Sequence, residues 1–158
     1  MNELVKFLIK ENKTISTMES CTGGFIANSI TNIEGASNII KFSAVTYSNE
    51  FKIKMGVDEK IINKYSVYSI ETAKEMSKKI VLFTESNYGV GITGKLNRID
   101  ENNKVGNDNE VFISIYDKEI DKFYTCNIFV DKKTRSENKE LIKDEFVKLF
   151  KNNVISEM

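Results

Sequence analysis

The order in which helical and extended patterns follow one another along the chain restricts its fold more than any other feature. Four segments carry the apolar spacing or the capping signals of helices: residues 2–11, 25–31, around 61–62, and from Ser69 to about 83. Three short β-prone runs lie between them, at residues 14–18, 41–47 and 88–93. Strands that alternate with helices are typical of an α/β protein, in which helices cover a sheet.

The C-terminal part of the chain has a different order of elements. Residues 111–116 and 123–130 are two β-rich runs close enough to form an antiparallel hairpin. Thr134 and Glu137 have the spacing of a capping box and predict the start of a final helix. Residues 95–109 are polar and lack periodicity, so we expect a long mobile loop there. The whole pattern predicts a mixed sheet with helices on both faces.

Length and charge exclude several classes of protein. A length of 158 residues suits a single core, so we expect one domain over residues 1–158. Lys plus Arg number 23 and Asp plus Glu number 23, so the chain lacks the excess of positive charge that is typical of proteins that bind nucleic acid or an anionic membrane. No apolar run approaches the roughly 18 residues that span a bilayer. We therefore expect a cytoplasmic protein, with a homodimer as the usual assembly of a small soluble enzyme.

The residue types that are missing narrow the chemistry. The chain has no histidine, which excludes a Ser-His-Asp triad, a Cys-His pair and any histidine-ligated metal within it. The two cysteines, Cys21 and Cys126, lack the spacing of a zinc site and are expected to be free thiols. A nucleophile in this chain would need a lysine or a carboxylate as its base.

The segment Met-Glu-Ser-Cys-Thr-Gly-Gly, residues 18–24, joins a predicted strand to a predicted helix. Ser20 would be exposed at this junction as a nucleophile, and neighbouring N–H groups would form an oxyanion hole. The same pattern also fits a hydroxyl of Ser20 or Thr22 that caps the helix, with glycines that ease a turn. Cys21 is a second candidate nucleophile at a helix N-terminus, although a small buried apolar residue fits it equally well.

Lys52 is the candidate base. It follows Tyr47-Ser-Asn-Glu-Phe beyond the carboxyl end of the predicted strand 41–47, where open α/β sheets place their ligands. A lysine becomes a base when burial or nearby cations lower the pKa of its ammonium group. The alternative for any single lysine is a solvated surface charge.

The segment 18–24 resembles the Ala-Glu-Ser-Cys-Thr-Gly-Gly signature of the CinA C-terminal domain, the nicotinamide-nucleotide amidase family. Five further matches occur in the same order and extend the resemblance over about residues 4–150: Glu34-Gly-Ala-Ser37, Tyr47-Ser-Asn-Glu-Phe-Lys52, Met55-Gly-Val57, Val67-Tyr-Ser69 and Thr93-Gly94. The resemblance implies a three-layer α/β/α sandwich with a mixed, mostly parallel sheet of about five strands. It also implies the stand-alone form of the domain.

The resemblance further implies hydrolysis of the carboxamide of nicotinamide mononucleotide to nicotinate mononucleotide and ammonia. Ser20 would be the nucleophile, and Tyr47 and Lys52 would activate it or relay protons. Amides near Thr22, Gly23 and Gly24 would hold the developing charge, and Thr93 with Gly94 would contact the substrate or the oxyanion. The implied partner is a small-molecule nucleotide, with no metal and no organic cofactor.

The chain departs from the family pattern after Thr93-Gly94. Family members continue into Ile-Ala-Gly-Pro-Gly-Gly, whereas this chain continues with Lys-Leu-Asn-Arg-Ile-Asp-Glu-Asn-Asn-Lys, residues 95–104. Glycines let the backbone approach a phosphate closely, so here Lys95 or Arg98 would pair with the phosphate instead. Two alternatives follow from the altered loop. One is a catalytically inactive domain that binds a nucleotide or a protein partner in a competence or DNA-damage response, and the other is hydrolysis of a different amide or ester.

Overall fold

A five-stranded sheet forms the centre of the fold in the computed structural model, which describes residues 1–156. Its strands are β1 Ile15–Glu19, β2 Ile40–Val45, β3 Tyr88–Gly94, β4 Glu110–Asp117 and β5 Lys122–Phe129. Six α-helices accompany them within the described residues: α1 Asn2–Lys10, α2 Phe25–Thr31, α3 Asn49–Lys54, α4 Glu59–Tyr65, α5 Ile70–Thr84 and α6 Arg135–Phe150. A 3₁₀ turn at Ala36–Asn38 and a π-helical turn at Lys151–Ile155 complete the described elements.

The sheet has the order β2-β1-β3-β4-β5. β1 pairs in parallel with both β2 and β3, whereas β4 runs antiparallel to both β3 and β5. Four strands therefore share one direction and β4 is reversed. The predicted mixed, mostly parallel sheet of five strands is confirmed, and so is the predicted hairpin between β4 and β5.

Helices pack on both faces of the sheet, as predicted. Buried side chains of α1, α2 and α6 form one core with β1, β3 and β4, represented by Leu8, Ile30, Phe146 and Val90. On the opposite face, Met18 of β1 belongs to a second core that includes buried residues of α4 and α5. The result is a three-layer α/β/α sandwich. No helix within residues 1–156 has both the length and the apolar character to cross a bilayer.

Two glycines of β3 allow α5 to lie very close to the sheet. A Cβ at Gly89 would stand 2.1 Å from the carbonyl oxygen of Ser77, and one at Gly91 would stand 2.2 Å from that of Ala73. Any side chain at either position would displace the helix backbone. The glycines therefore place α5 against the centre of the sheet, and α5 begins beside the carboxyl end of β3.

Hydrogen bonds at the N-caps confirm the predicted first residues of the two long helices, α5 and α6. The Ser69 hydroxyl accepts a hydrogen bond from the Thr72 N–H at the start of α5. At the start of α6, Thr134 and Glu137 form the reciprocal capping box. Such bonds satisfy amides that have no partner inside the helix, so a short sequence pattern is enough to determine where a helix begins.

The segment after β2 differs from the prediction. It leaves the carboxyl end of the strand as expected, but residues Asn49–Lys54 form the short helix α3, which the sequence pattern did not predict. Its cap is the Ser48 hydroxyl, which accepts a hydrogen bond from the Phe51 N–H at 3.2 Å. Lys52 therefore lies on a helix and not on an extended segment.

Candidate active site

Ser20 is the first residue after β1 and lies at the carboxyl end of a central strand. Its N–H donates to the Ile92 carbonyl at 3.0 Å, so the residue remains hydrogen-bonded to β3. Gly23 and Gly24 then take φ values of 61° and 91°, in the left-handed region that glycine adopts most easily. α2 begins directly afterwards at Phe25, which confirms the predicted strand–turn–helix junction.

The tertiary structure brings Lys52 to Ser20. The Lys52 ammonium nitrogen lies 3.0 Å from Ser20 Oγ and donates to the Thr46 carbonyl oxygen at 2.7 Å. Only 1% of Lys52 and 7% of Ser20 is exposed. α3 directs this lysine inward, and the pair forms a buried serine–lysine dyad across 32 residues of sequence.

Burial changes the acid–base chemistry of Lys52. Desolvation lowers the pKa of its ammonium group from 10.5 to about 8, although Cys21 and Asp100 oppose the shift electrostatically. Lys52 forms no ion pair with a carboxylate of residues 1–156 that would stabilise its charged form. Roughly a tenth of Lys52 is therefore the neutral amine at pH 7, and this form can accept a proton from the Ser20 hydroxyl.

Cys21 has the opposite character. It is buried, and desolvation raises the pKa of its thiol to about 12, with the Lys52 charge opposing that shift. The thiolate is the reactive form of cysteine, and at neutral pH almost none would be present here. Of the two candidate nucleophiles, the electrostatics favour Ser20.

A buried carboxylate that the sequence analysis missed holds the turn around Ser20. Glu19 is fully buried, and its oxygens accept hydrogen bonds from the hydroxyls of Thr17 and Thr22 at 3.1 and 2.7 Å. They also accept from the N–H groups of Ile26 and Ala27 in the first turn of α2, at 2.9 and 3.0 Å. Because N-cap side chains usually lie directly before a helix, an acidic residue on the preceding strand gave no recognisable signal.

We expect Glu19→Ala to lower the free energy of unfolding by about 3 kcal/mol, because two amides and two hydroxyls lose their acceptor. Urea-induced unfolding followed by circular dichroism measures the change. Glu34→Ala is the matched control: Glu34 is exposed, and its removal should shift the same free energy by less than about 0.5 kcal/mol. Equal stabilities of the two variants would contradict the assigned role of Glu19.

The turn between β1 and α2 retains amide donors. The N–H of Gly23 donates to the Ser20 carbonyl at 2.9 Å, and that of Ser20 is bonded to Ile92. Within residues 1–156, the N–H groups of Thr22 and Gly24 donate to no other group. Free amides in the same turn as a nucleophile are the usual source of an oxyanion hole.

The remaining predicted site residues form no hydrogen bond with the side chain of Ser20 or Lys52 in the described part of the chain. The Thr22 hydroxyl is directed to Glu19, as described above, and the Thr93 hydroxyl donates to the Val67 carbonyl at 2.9 Å in a buried position. Gly94 lines the cavity described below. Tyr47 is 63% exposed, and its hydroxyl accepts a hydrogen bond from Arg135 Nη2 at 3.1 Å, not from Ser20 or Lys52.

A cavity of about 500 Å³ lies beside the dyad, and Ser20, Cys21, Tyr47 and Gly94 form part of its wall. That volume lies within the range of small-molecule sites, roughly 300–1,000 Å³. No group of three or more His, Cys, Asp and Glu side chains among residues 1–156 has the arrangement of a metal site. Ser20 and several polar side chains, among them Ser48, Asn49 and Arg98, face the same cavity.

The loop of residues 95–109 forms the opposite wall. As predicted, it contains no helix or strand, but its attachment to the rest of the domain was not predicted. Lys95 is buried and forms an ion pair with Asp108 at 3.3 Å. Asn103 Oδ1 accepts a hydrogen bond from Asn49 Nδ2 of α3 at 3.0 Å, which fixes the loop above the site.

Comparison with known proteins identifies the family. Residues 1–153 match the CinA C-terminal domain family. This chain belongs to that family. A CinA-like protein of Flavobacterium psychrophilum is 42% identical over 115 residues, which cover 71% of this chain and 27% of the relative. A putative competence-damage inducible protein of Caldanaerobacter subterraneus is 43% identical over 96 residues, which cover 60% of this chain and 23% of the relative. The matches thus span about a quarter of these relatives.

Solved structures of the CinA superfamily have the same fold. The competence damage-inducible protein A of Klebsiella pneumoniae superposes with a TM-score of 0.87 at 17% identity, over 97% of this chain and 93% of that one. A CinA superfamily protein of Escherichia coli gives a TM-score of 0.82 at 21% identity, over 94% of this chain and 85% of that one. At these identities the likeness shows the fold alone.

Proposed function

We propose that the chain hydrolyses the carboxamide of nicotinamide mononucleotide to nicotinate mononucleotide and ammonia, with Ser20 as nucleophile and Lys52 as base. The observation that carries the proposal is the 3.0 Å contact between Lys52 Nζ and Ser20 Oγ next to the cavity. Membership of the CinA family, which the sequence resemblance links to this amidase activity, supports the choice of substrate.

The reaction proceeds in two stages. Neutral Lys52 takes the proton of the Ser20 hydroxyl as Oγ attacks the carboxamide carbon, and free amides of the turn at Thr22 and Gly24 stabilise the oxyanion. The protonated lysine then donates its proton to the leaving nitrogen, which departs as ammonia and leaves an ester on Ser20. Lys52, neutral again, takes a proton from a water molecule that attacks the ester, and returns it to Ser20 Oγ as the acyl–oxygen bond breaks. The acid released ionises to the carboxylate product.

Two arginines on the cavity wall suit the phosphate of a nucleotide. Arg98 and Arg135 both line the cavity, and neither forms an ion pair with a carboxylate of residues 1–156. A guanidinium group binds phosphate oxygens through two parallel hydrogen bonds. Lys95 is already paired with Asp108, so Arg98 is the better candidate of these two loop residues for binding the phosphate. In this arrangement Tyr47 orients Arg135 through its hydroxyl.

Incubation of the purified protein with nicotinamide mononucleotide tests the proposal. We expect ammonia and nicotinate mononucleotide in equal amounts, measured by coupled enzymatic assay and by chromatography. Nicotinamide riboside, which lacks the phosphate, should have a kcat/KM at least about tenfold lower, because charge-assisted hydrogen bonds are lost. Absence of ammonia release overturns the proposed amidase activity. If the nucleotide still binds in calorimetry, that result favours the alternative of a non-catalytic nucleotide-binding domain.

The rate should rise with pH. Below its lowered pKa of about 8, Lys52 is mostly the ammonium ion and cannot accept the Ser20 proton, so kcat/KM should increase from pH 6 and level off above about 9. The nearby titratable groups do not reverse this direction: the Cys21 thiol stays protonated and Asp100 stays ionised over the same range. A pH–rate profile that is flat, or that falls from pH 7 to 9, contradicts a lysine base.

A further inference from the structure

Asp100 places a fixed negative charge on the wall of the cavity that contains Ser20. Its carboxylate accepts hydrogen bonds from the Tyr68 hydroxyl, from the Asn102 N–H at 2.9 Å and from Asn103 Nδ2 at 3.1 Å. These bonds lower the pKa of Asp100 against the opposing effect of burial. All three donors are neutral, so the carboxylate is held in place while its charge is not cancelled.

No cation of residues 1–156 forms an ion pair with Asp100. In contrast, Glu101 is paired with Lys104 at 3.4 Å, and Lys95 is paired with Asp108. The field of Asp100 also extends to the reacting pair, since it raises the pKa of Lys52 against the effect of burial. An occupant of this cavity would therefore meet an unpaired carboxylate on the same wall that contains Ser20.

The arginines already described contribute positive charge to the same cavity. A ligand that carries both an anionic group and a cationic group would match such a distribution better than a purely anionic one. In the proposed substrate, the ring that bears the carboxamide is a pyridinium, which is positively charged. The complementary position for that ring is beside Ser20, on the side of the unpaired Asp100 carboxylate.

We propose that Asp100 is a specificity-determining residue, which selects a positively charged ring as the carrier of the carboxamide. The proposal rests on the proposed function and adds to it the charge of the substrate class. Tyr68 acts through Asp100 as a positioning residue, because its hydroxyl holds the carboxylate against the cavity wall. Asp100 could instead only attach the loop of residues 95–109 to the rest of the domain. In that case its substitution would affect ligands of either charge equally, so binding experiments can separate the specificity role from the structural one.

The test compares two ligands that differ in ring charge. Nicotinamide mononucleotide has a cationic ring, and its 1,4-dihydro form has a neutral ring with the same phosphate and carboxamide. Calorimetry on the Ser20→Ala variant measures both dissociation constants without turnover. We expect the cationic form to bind about tenfold more tightly, which is the effect of one partly solvent-screened charge pair.

Asp100→Asn removes the charge but keeps an oxygen that can accept the Tyr68 hydrogen bond. In the Ser20→Ala background we expect this substitution to weaken binding of the cationic ligand about tenfold, to leave the neutral ligand within about twofold, and so to abolish the preference. Glu101→Gln is the matched control, since it removes the same charge from a neighbouring residue that is already paired with Lys104. It should leave the preference unchanged.

Three outcomes overturn the inference while the amidase stands: equal affinities for the two ligands, a preference that survives Asp100→Asn, and an equal loss of both affinities in Asp100→Asn. The last would show that Asp100 only holds the loop. Ammonia release by the wild-type protein reports on the proposed function separately. Failure of both ligands to bind, together with absence of ammonia release, overturns both proposals.

Discussion

Ser20→Ala should reduce the release of ammonia from nicotinamide mononucleotide by at least about a thousandfold, because no other nucleophile can form the acyl intermediate. The loss should be confined to kcat. The substitution removes only one oxygen atom. The buried ammonium of Lys52 keeps its hydrogen bond to the Thr46 carbonyl, and the cavity wall stays in place. Calorimetry should therefore show that the variant binds the nucleotide with near wild-type affinity.

Cys21→Ala is the matched control for this variant. Cys21 lies beside Ser20 in the same turn and lines the same cavity, but burial keeps its thiol protonated. We expect its turnover to remain within about threefold of wild type, since the substitution removes only one buried sulfur. Retained activity in Ser20→Ala together with loss of activity in Cys21→Ala would transfer the nucleophile role to the cysteine.

Lys52→Arg should lower kcat/KM by at least about a hundredfold, which is the contribution of a general base. A guanidinium group remains protonated at any pH at which the protein is folded, so it cannot accept the Ser20 proton. Lys54→Arg is the matched control, because Lys54 lies on the same helix, is exposed and is paired with Glu50. Its activity should be close to that of wild type.

A second substitution separates loss of the base from loss of the fold. Lys52→Met has a similar length and carries no charge, so the buried site no longer has to desolvate an ammonium group. Below pH 8 we expect this variant to be at least as resistant to urea as wild type. Its activity should be as low as that of Lys52→Arg. Near-normal turnover in either variant would remove Lys52 from the mechanism.

The elements of the fold were largely predictable because their signals are local. The helix predicted at about residues 25–31 agrees with α2, and Ser69 and the capping box at Thr134 marked the starts of α5 and α6. In each case the pattern concerns amides and side chains within one turn of helix. The β4–β5 hairpin followed from two β-rich runs with a short connection.

α3 was missed for a physical reason. A helix of six residues, Asn49–Lys54, is too short to be stable alone, since nucleation is costly and few hydrogen bonds follow it. Ile53 of this helix packs against the second core, which is a tertiary interaction. The role of Glu19 escaped prediction similarly, because its acceptors and donors meet only when β1 and α2 pack together.

The amino-acid sequence by itself determined the strand–turn–helix around Ser20, the layered α/β fold and the exclusion of histidine chemistry, because each depends on residue type or on near neighbours. Only the tertiary structure decided that Lys52 is buried against Ser20 with a lowered pKa and that neutral donors hold Asp100 on the cavity wall. A pKa or a charge pairing depends on desolvation and on distances between residues remote in sequence, and these exist only after the chain has packed. The sequence made both Ser20 and Lys52 candidates, and their 3.0 Å contact was established only by the fold.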